Sequence, residues 1–254
     1  MKRKLPNITS KLPSILTICL ILVIWQGVSM AGIIPSFMLP APVTVGKAFI
    51  GDFPLLMEHT KVTVLEAFLG LGAGIVIGFF CAVLMDHFDS VYKALYPIIV
   101  ITQTIPTVAI APLLVLWLGY EMAPKIVLII LVTFFPITIG LLEGFRSADP
   151  DTIRLLRSMG ATRTQIFFHI KLPGSMNQFF SSLRISVSYS IVGAVISEWL
   201  GGFSGLGVYM TRVKSAFAFD RMFAVIFLIS AVSLVLMWLV EILQKKCMPW
   251  ENVK

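Results

Sequence analysis

Side chains able to do chemistry are few in this chain and seldom neighbours. The densest group is Asp86-His87-Phe88-Asp89, two carboxylates around an imidazole, residue types that bind metals or move protons. It falls in a short polar gap between apolar runs, where solvation alone calls for such residues, and no further ligand stands near it. His59 and His169 are isolated and read as surface or interface residues. Cys19, Cys81 and Cys247 lack CxxC spacing, and two lie in apolar runs, so they read as small hydrophobes rather than as a disulfide or metal set. No Gly-x4-Gly-Lys-Ser/Thr loop is present to cradle a nucleotide phosphate, and neither HExxH nor GxSxG occurs. The expectation is a chain with no catalytic residue, no metal and no cofactor.

The one loop with a definite internal pattern is 143–176. Asp149-Pro150-Asp151 places acids and a proline where a helix would start, suited to its N-terminal dipole. Ile153 to Met159 is amphipathic, and Gly160 stops it as a C-terminal glycine does. A second short helix follows from Ala161 to Phe168, with Thr162 or Thr164 as its cap, and Leu172-Pro173 is expected to end it. Helix, glycine corner, helix and proline stop make a stiff knob.

The elements around that knob belong in lipid. Of 254 residues 57% are hydrophobic and 13% charged, with mean hydropathy +0.93, too little charge to cover a water-facing surface. The net charge of +7 could suggest a nucleic-acid partner. The basic residues, however, sit in gaps between apolar runs, so no nucleic acid is expected. Crossing a hydrocarbon core of about 30 Å takes about 20 apolar helical residues. Six segments qualify: 12–30, 61–85, 95–118, 124–142, 177–199 and 222–243. The second is the least regular, carrying Lys61 and Glu66 in its first turns. Met1-Lys2-Arg3-Lys4 before an apolar run, with Ser29-Met30-Ala31 after it, imitates a signal peptide. Five further apolar segments follow, and the reading is a retained first span. The connector 31–60 is rich in turn residues, with a short surface helix expected over 43–50. With an inside N-terminus, the inside holds Lys2, Arg3, Lys4, Lys11, Lys93, Arg146, Arg154, Arg157, Arg163, Lys171, Lys245, Lys246 and Lys254. The outside holds Lys47, Lys61, Lys125, Arg212, Lys214 and Arg221. The excess favours both termini inside. Gly70, Gly74, Gly78 and Ala82 form a close-packing face, and no boundary suggests a second domain.

Gly160, nine intervening residues and Ile170-Lys171-Leu172-Pro173 resemble the "EAA" loop of ABC-importer permeases. The Glu-Ala-Ala positions read Arg154-Leu155-Leu156 here, a departure that bears on the acidic contact of that loop. The likeness runs over about 37–243. Leu39-Pro40-Ala41-Pro42, Pro106-Thr107-Val108-Ala109, Pro112-Leu113-Leu114 and Trp117-Leu118-Gly119 carry it in the first half. Phe135-Pro136-Ile137, Ser197-Glu198-Trp199-Leu200-Gly201 and Gly205-Leu206-Gly207 carry it in the second. Together they are similar to the nitrate/sulfonate/taurine branch, which includes permeases for pyrimidine precursors of thiamine. The resemblance implies an all-α, polytopic type I permease of about six transmembrane helices in a bacterial inner membrane. It implies one permease domain over 1–254, with a core of about 60–243 and the coupling loop 143–176. It further implies ABC ATPase subunits, an extracytoplasmic binding protein and a second copy of the chain as partners. Gly160, Ala161, Thr162, Gln165, Ile166, Phe167, Ile170, Leu172 and Pro173 are then the residues that meet the ATPase.

Two features suggest where a solute passes. Gln103 with Pro106 marks a break in the third segment, which is either a translocation path or a packing kink. Ser182, Ser186, Ser190 and Ser197, with Gly193, share one narrow face of the fifth. That face either approaches another helix closely or lines an aqueous cavity; a span near the dimer axis, as the resemblance implies, favours the cavity. Arg184, early in that span, is placed to snorkel. A self-sufficient secondary transporter would need coupling carboxylates deep in its spans, and only Glu66 stands in such a place.

Overall fold

Each of the six apolar segments forms helix, because leucine-, isoleucine- and alanine-rich runs without water must satisfy their backbone internally. The computed structural model describes residues 8–249 apart from 33 and 36; the basic residues at 2–4 and at 254 lie outside the described residues. The helices are α1 (Ile8–Met30), α2 (Pro42–Gly51), α3 (Phe53–His87), α4 (Asp89–Thr104), α5 (Thr107–Leu118) and α6 (Met122–Arg146). After them come α7 (Pro150–Ser158), α8 (Arg163–Ile166), α9 (Leu172–Gly174), α10 (Met176–Gly201), α11 (Leu206–Ser215) and α12 (Phe219–Cys247). No strand occurs among the described residues.

The chain forms two compact units, one made of residues up to Met57 with Met210–Leu228, the other of Glu58–Tyr209 with Ile229–Lys254. In the first, Trp25 packs on Phe223 and Phe227 with ring centroids 5.6 and 5.8 Å apart, and Arg221 pairs with Asp52 at 3.3 Å. The short helix expected over 43–50 is α2, opened by Pro42 in its first turn.

The second unit is built around α6, which is buried on two sides. Against α3 it meets Gly70, Gly74 and Gly78. A methyl group on any of these would press into Ile129, Thr133 or Thr138 of α6, so the glycines set the approach of the two helices. Against α10 the roles reverse. Gly140 and Gly144 of α6 receive Ser182 and Ser175, and Ser186 Oγ donates to Thr133 O at 3.1 Å. Phe180, Leu183 and Val187 of α10 pack with Val240 of α12 and with Met248.

Four helices are long and apolar enough to cross a membrane unbroken: α3, α6, α10 and α12. The expected third span, 95–118, is instead two helices, α4 and α5, bent by 99° at Ile105–Pro106. Pro106 lacks an N–H and forces extended backbone on Ile105, whose ψ is 122°, so one straight helix cannot pass through. Counted as one, the pair brings the spans of full length among the described residues to five, beside the shorter apolar stretch Ile15–Met30 of α1. The second span begins earlier than 61, because α3 runs for 35 residues.

Candidate functional site

The loop between α6 and α10 folds largely as local chemistry dictates. The Asp149 carboxylate caps α7, accepting from the backbone N–H of Asp151 and Thr152 at 3.1 Å each and from Thr152 Oγ1 at 2.6 Å. These bonds hold its carboxyl below the ordinary value, the Thr152 side chain contributing most. At the other end, Gly160 takes φ +84°. Its N–H reaches Arg157 O, and the Ala161 N–H reaches Leu156 O at 2.9 Å, the 6→1 bond of a Schellman motif. Thr162 then opens α8 with a complete capping box: its N–H donates to Gln165 Oε1 at 2.8 Å, and the Gln165 N–H donates back to Thr162 Oγ1.

Beyond α8 the expectation fails in one respect. Leu172-Pro173 does not end the helix. A π turn over Phe167–Lys171 widens the chain, with the Leu172 N–H bonded to Phe167 O, and α9 follows directly, carrying Pro173. A five-residue hydrogen-bond step leaves room where the proline ring and its missing N–H would disrupt an ordinary turn.

Three contacts fix the root of this knob to the bundle, and a fourth joins the end of α6 to α4. The Lys171 ammonium donates to both oxygens of Asp86, at 2.7 and 2.8 Å. The Phe167 ring meets the fully buried Phe145 with centroids 5.1 Å apart. Ser175 lies against Gly144. The Arg146 guanidinium sits 3.7 Å over the Tyr92 ring. Asp86, part of the densest polar group, is thus an anchor for the loop. Gly160, Ala161, Gln165, Ile166 and Ile170 together line a recess of about 440 Å³. Ile166 and Phe167 also wall a second one of about 300 Å³, with Asp86, Arg157 and Lys171. Leu155, Met159 and Phe168 stand exposed on the knob, at 61%, 74% and 58%. The knob thus presents an apolar tip on a braced, polar root.

Of the residues expected on a translocation path, Gln103 borders an open cavity of about 210 Å³ with Thr107, Val132, Tyr189, Val192, Gly193 and Ile196. Pro106 makes the bend beside it. The serine face of α10 is elsewhere. Ser186, Ser190 and Ser197 are buried, at 0–2% exposure, and Ser182 and Ser186 meet α6. Within this chain the face is a close helix approach and not a cavity wall. The side of α10 toward the Gln103 cavity carries Tyr189, Val192, Gly193 and Ile196.

At the end of the bundle away from the loop, the structure assembles a polar cluster that sequence separation hides. Lys125 Nζ donates to Glu66 Oε1 at 2.6 Å. Thr63 Oγ1 donates to Glu198 Oε1 at 2.7 Å, and the Gly207 N–H to Glu198 Oε2 at 2.6 Å. The Gly205 N–H donates to His59 Nδ1 at 2.9 Å, and the Leu206 N–H to Thr63 Oγ1 at 2.8 Å. His59, read from sequence as a surface or interface residue, is 7% exposed, and Glu198 is 1% exposed. Lone histidines and carboxylates give no local signal of such burial; Gly205 and Gly207, whose added methyl groups would run into Glu198, are the only trace.

The described residues thus form a multi-span helical bundle that carries a braced, glycine-cornered loop. The chain matches the model of the family "Binding-protein-dependent transport system inner membrane component" over residues 74–248. It is 37% identical to a probable ABC transporter permease protein of Haemophilus influenzae, over 91% of this chain and 94% of that protein. To the formylaminopyrimidine transport permease protein ThiX of Halalkalibacterium halodurans it is 33% identical, over 92% and 93%. The taurine transport system permease protein TauC of Escherichia coli is 29% identical, over 94% and 90%. Among solved structures, a chain of the MetNI methionine ABC transporter shares the fold at a TM-score of 0.64 and 19% identity, covering 78% of this chain and 97% of that one. The chain belongs to the family of binding-protein-dependent inner-membrane transport components. It is a multi-pass membrane protein, the permease subunit of an ABC importer, and ATP hydrolysis falls to a separate subunit.

Proposed function

We propose that the knob of the 143–176 loop, with Gly160, Ala161, Thr162, Gln165, Ile166, Phe167, Ile170, Leu172 and Pro173, is the piece through which ABC ATPase subunits drive this permease. The observation that carries the reading is its bracing: an apolar tip on a corner set by Gly160, rooted through Lys171, Phe167 and Ser175 in α3 and α6. A push at the tip therefore reaches several spans together. In this reading the chain acts as one permease domain, paired with a second copy, both termini in the cytoplasm, with a binding protein delivering solute at the far face. The charge asymmetry of the connecting loops supports that orientation. Replacing 157–168 with a Gly/Ser linker of equal length should leave the permease in the membrane but abolish co-purification of the ATPase; undiminished co-purification would refute the assignment.

The solute proposed is a small, neutral, ring-bearing compound of the pyrimidine-precursor class. The cavity beside Gln103 offers an amide, a hydroxyl and the Tyr189 ring, and no lysine or arginine, so nothing there would compensate a sulfonate. ThiX, the 33% relative named for formylaminopyrimidine, points the same way. Complexes reconstituted with their binding protein in liposomes should take up the pyrimidine and not taurine on adding ATP; taurine uptake alone would overturn the choice.

A further inference from the structure

At the loop end of the bundle, a recess of about 300 Å³ lies between the last turn of α3 and the knob. Val83 and His87 of α3 border it on one side, Arg157 of α7 with Arg163 and Thr164 of α8 on the other. Its charges do not cancel. Asp86, the one acid in the wall, is already held by Lys171 at 2.7 and 2.8 Å. Arg154, the other arginine of α7, pairs with Asp151. Arg157 and Arg163 have no carboxylate partner among the described residues. Two guanidiniums, each a planar fork of N–H donors, thus share one recess, and the Thr164 hydroxyl stands beside them. That donor set suits a phosphate. At about 30 Å³ per water, the recess has about ten waters' worth of space, enough for a phosphodiester and its glycerol.

The apolar face that leads to the recess narrows the source. At about 100° of rotation per residue, Val76, Phe80, Val83 and His87 fall on one side of α3, opposite the Gly70, Gly74 and Gly78 row that meets α6. Val76 and Phe80 are 54% and 61% exposed, and within this membrane span they are open to lipid. The same side of the helix runs on through Val83 and His87 into the recess. A cationic recess at the depth where a span ends, entered from the hydrocarbon along one helix face, is the setting of a phospholipid headgroup.

We propose that this recess holds the phosphate of an anionic phospholipid from the adjacent leaflet, bound by Arg157 and Arg163, with its acyl chains laid along Val76, Phe80 and Val83. A zwitterionic lipid brings the same phosphate with a cation that the arginines repel, so a net negative headgroup is preferred. By tying α7 and α8 to the lipid beside α3, the headgroup adds a second brace to the one from Lys171 to Asp86. This holds whatever docks at the exposed tip.

The test uses the intact transporter complex in nanodiscs of phosphatidylcholine with a minor fraction of phosphatidylglycerol, followed by native mass spectrometry of the lipid it retains in detergent. Wild type should retain phosphatidylglycerol over phosphatidylcholine, and excess inorganic phosphate should not strip it. Arg157→Gln or Arg163→Gln alone should weaken retention about 5-fold, and the two together about 30-fold. Equal retention of the two lipids by wild type, a result that needs no variant to fold, would overturn the proposal. Displacement by inorganic phosphate would overturn the lipid as the source of the phosphate. A double variant that keeps its lipid but loses its ATPase subunits would also overturn it, assigning the arginines to an acidic segment of that partner.

Discussion

The ion pair between Lys171 and Asp86 ties the 143–176 loop to α3, and under the proposed coupling role breaking it should uncouple the machine without stopping its motor. At 2.7 Å and an effective dielectric of 20, the Coulomb attraction is about 6 kcal/mol before any cost. The Lys171 side chain is 23% exposed and that of Asp86 11%, so desolvation and solvent screening take back most of it. A net anchorage of about 1–3 kcal/mol remains. Lys171→Met or Asp86→Asn should therefore raise the detached population of the knob about 5- to 150-fold. The assay is ATP-driven uptake in proteoliposomes, divided by ATP hydrolysed in the same vesicles. Each single variant should keep hydrolysis and lose uptake, lowering the ratio. The charge swap, Asp86→Lys with Lys171→Asp, should recover part of it. Unchanged ratios in both single variants, or a swap no better than their combined losses, would refute the transmission through α3.

Two further predictions follow from the packing and capping. Gly140→Val places a branched side chain where Ser182 already touches α6; overpacking of about 1–3 kcal/mol should lower the melting temperature of the complex by several degrees, while Gly46→Val, at an open position, should not. The Asp149 cap holds its carboxyl below the ordinary value, so its contribution to α7 is present above the unfolded pKa, about 3.9, and is lost as pH falls through the folded one. Amide exchange over 150–158 should accelerate only in that acid window, and Asp149→Asn should remove the dependence.

What the sequence revealed and what it concealed divide along the range of the interactions. Asp149, Gly160, Thr162 and Gln165 act within three or four residues of one another, so their roles could be read directly from spacing. The glycine row Gly70, Gly74 and Gly78 likewise announces a close approach, though not that α6 fills it. Pro173 was misleading because a proline normally ends a helix, and nothing local signals the π turn that accommodates it. The serine row of α10 illustrates the limit of periodicity: it identifies a shared face but not what the face meets, which is α6. Gln103 and Pro106 correctly mark a break, yet a 99° bend depends on how α4 and α5 pack. The His59, Glu66, Lys125, Glu198 and Gly205 cluster joins residues 59 to 146 positions apart, and isolated polar residues in apolar runs do not disclose their partners.

The driving of this permease through its 160–173 knob is tested most directly by a photo-reactive side chain at Phe168 on the exposed tip, in the full complex in native membranes. The knob should crosslink to the ATPase subunit in high yield, with a yield that changes when ATP is bound. Adducts confined to lipid or to the permease itself, with and without nucleotide, would contradict it.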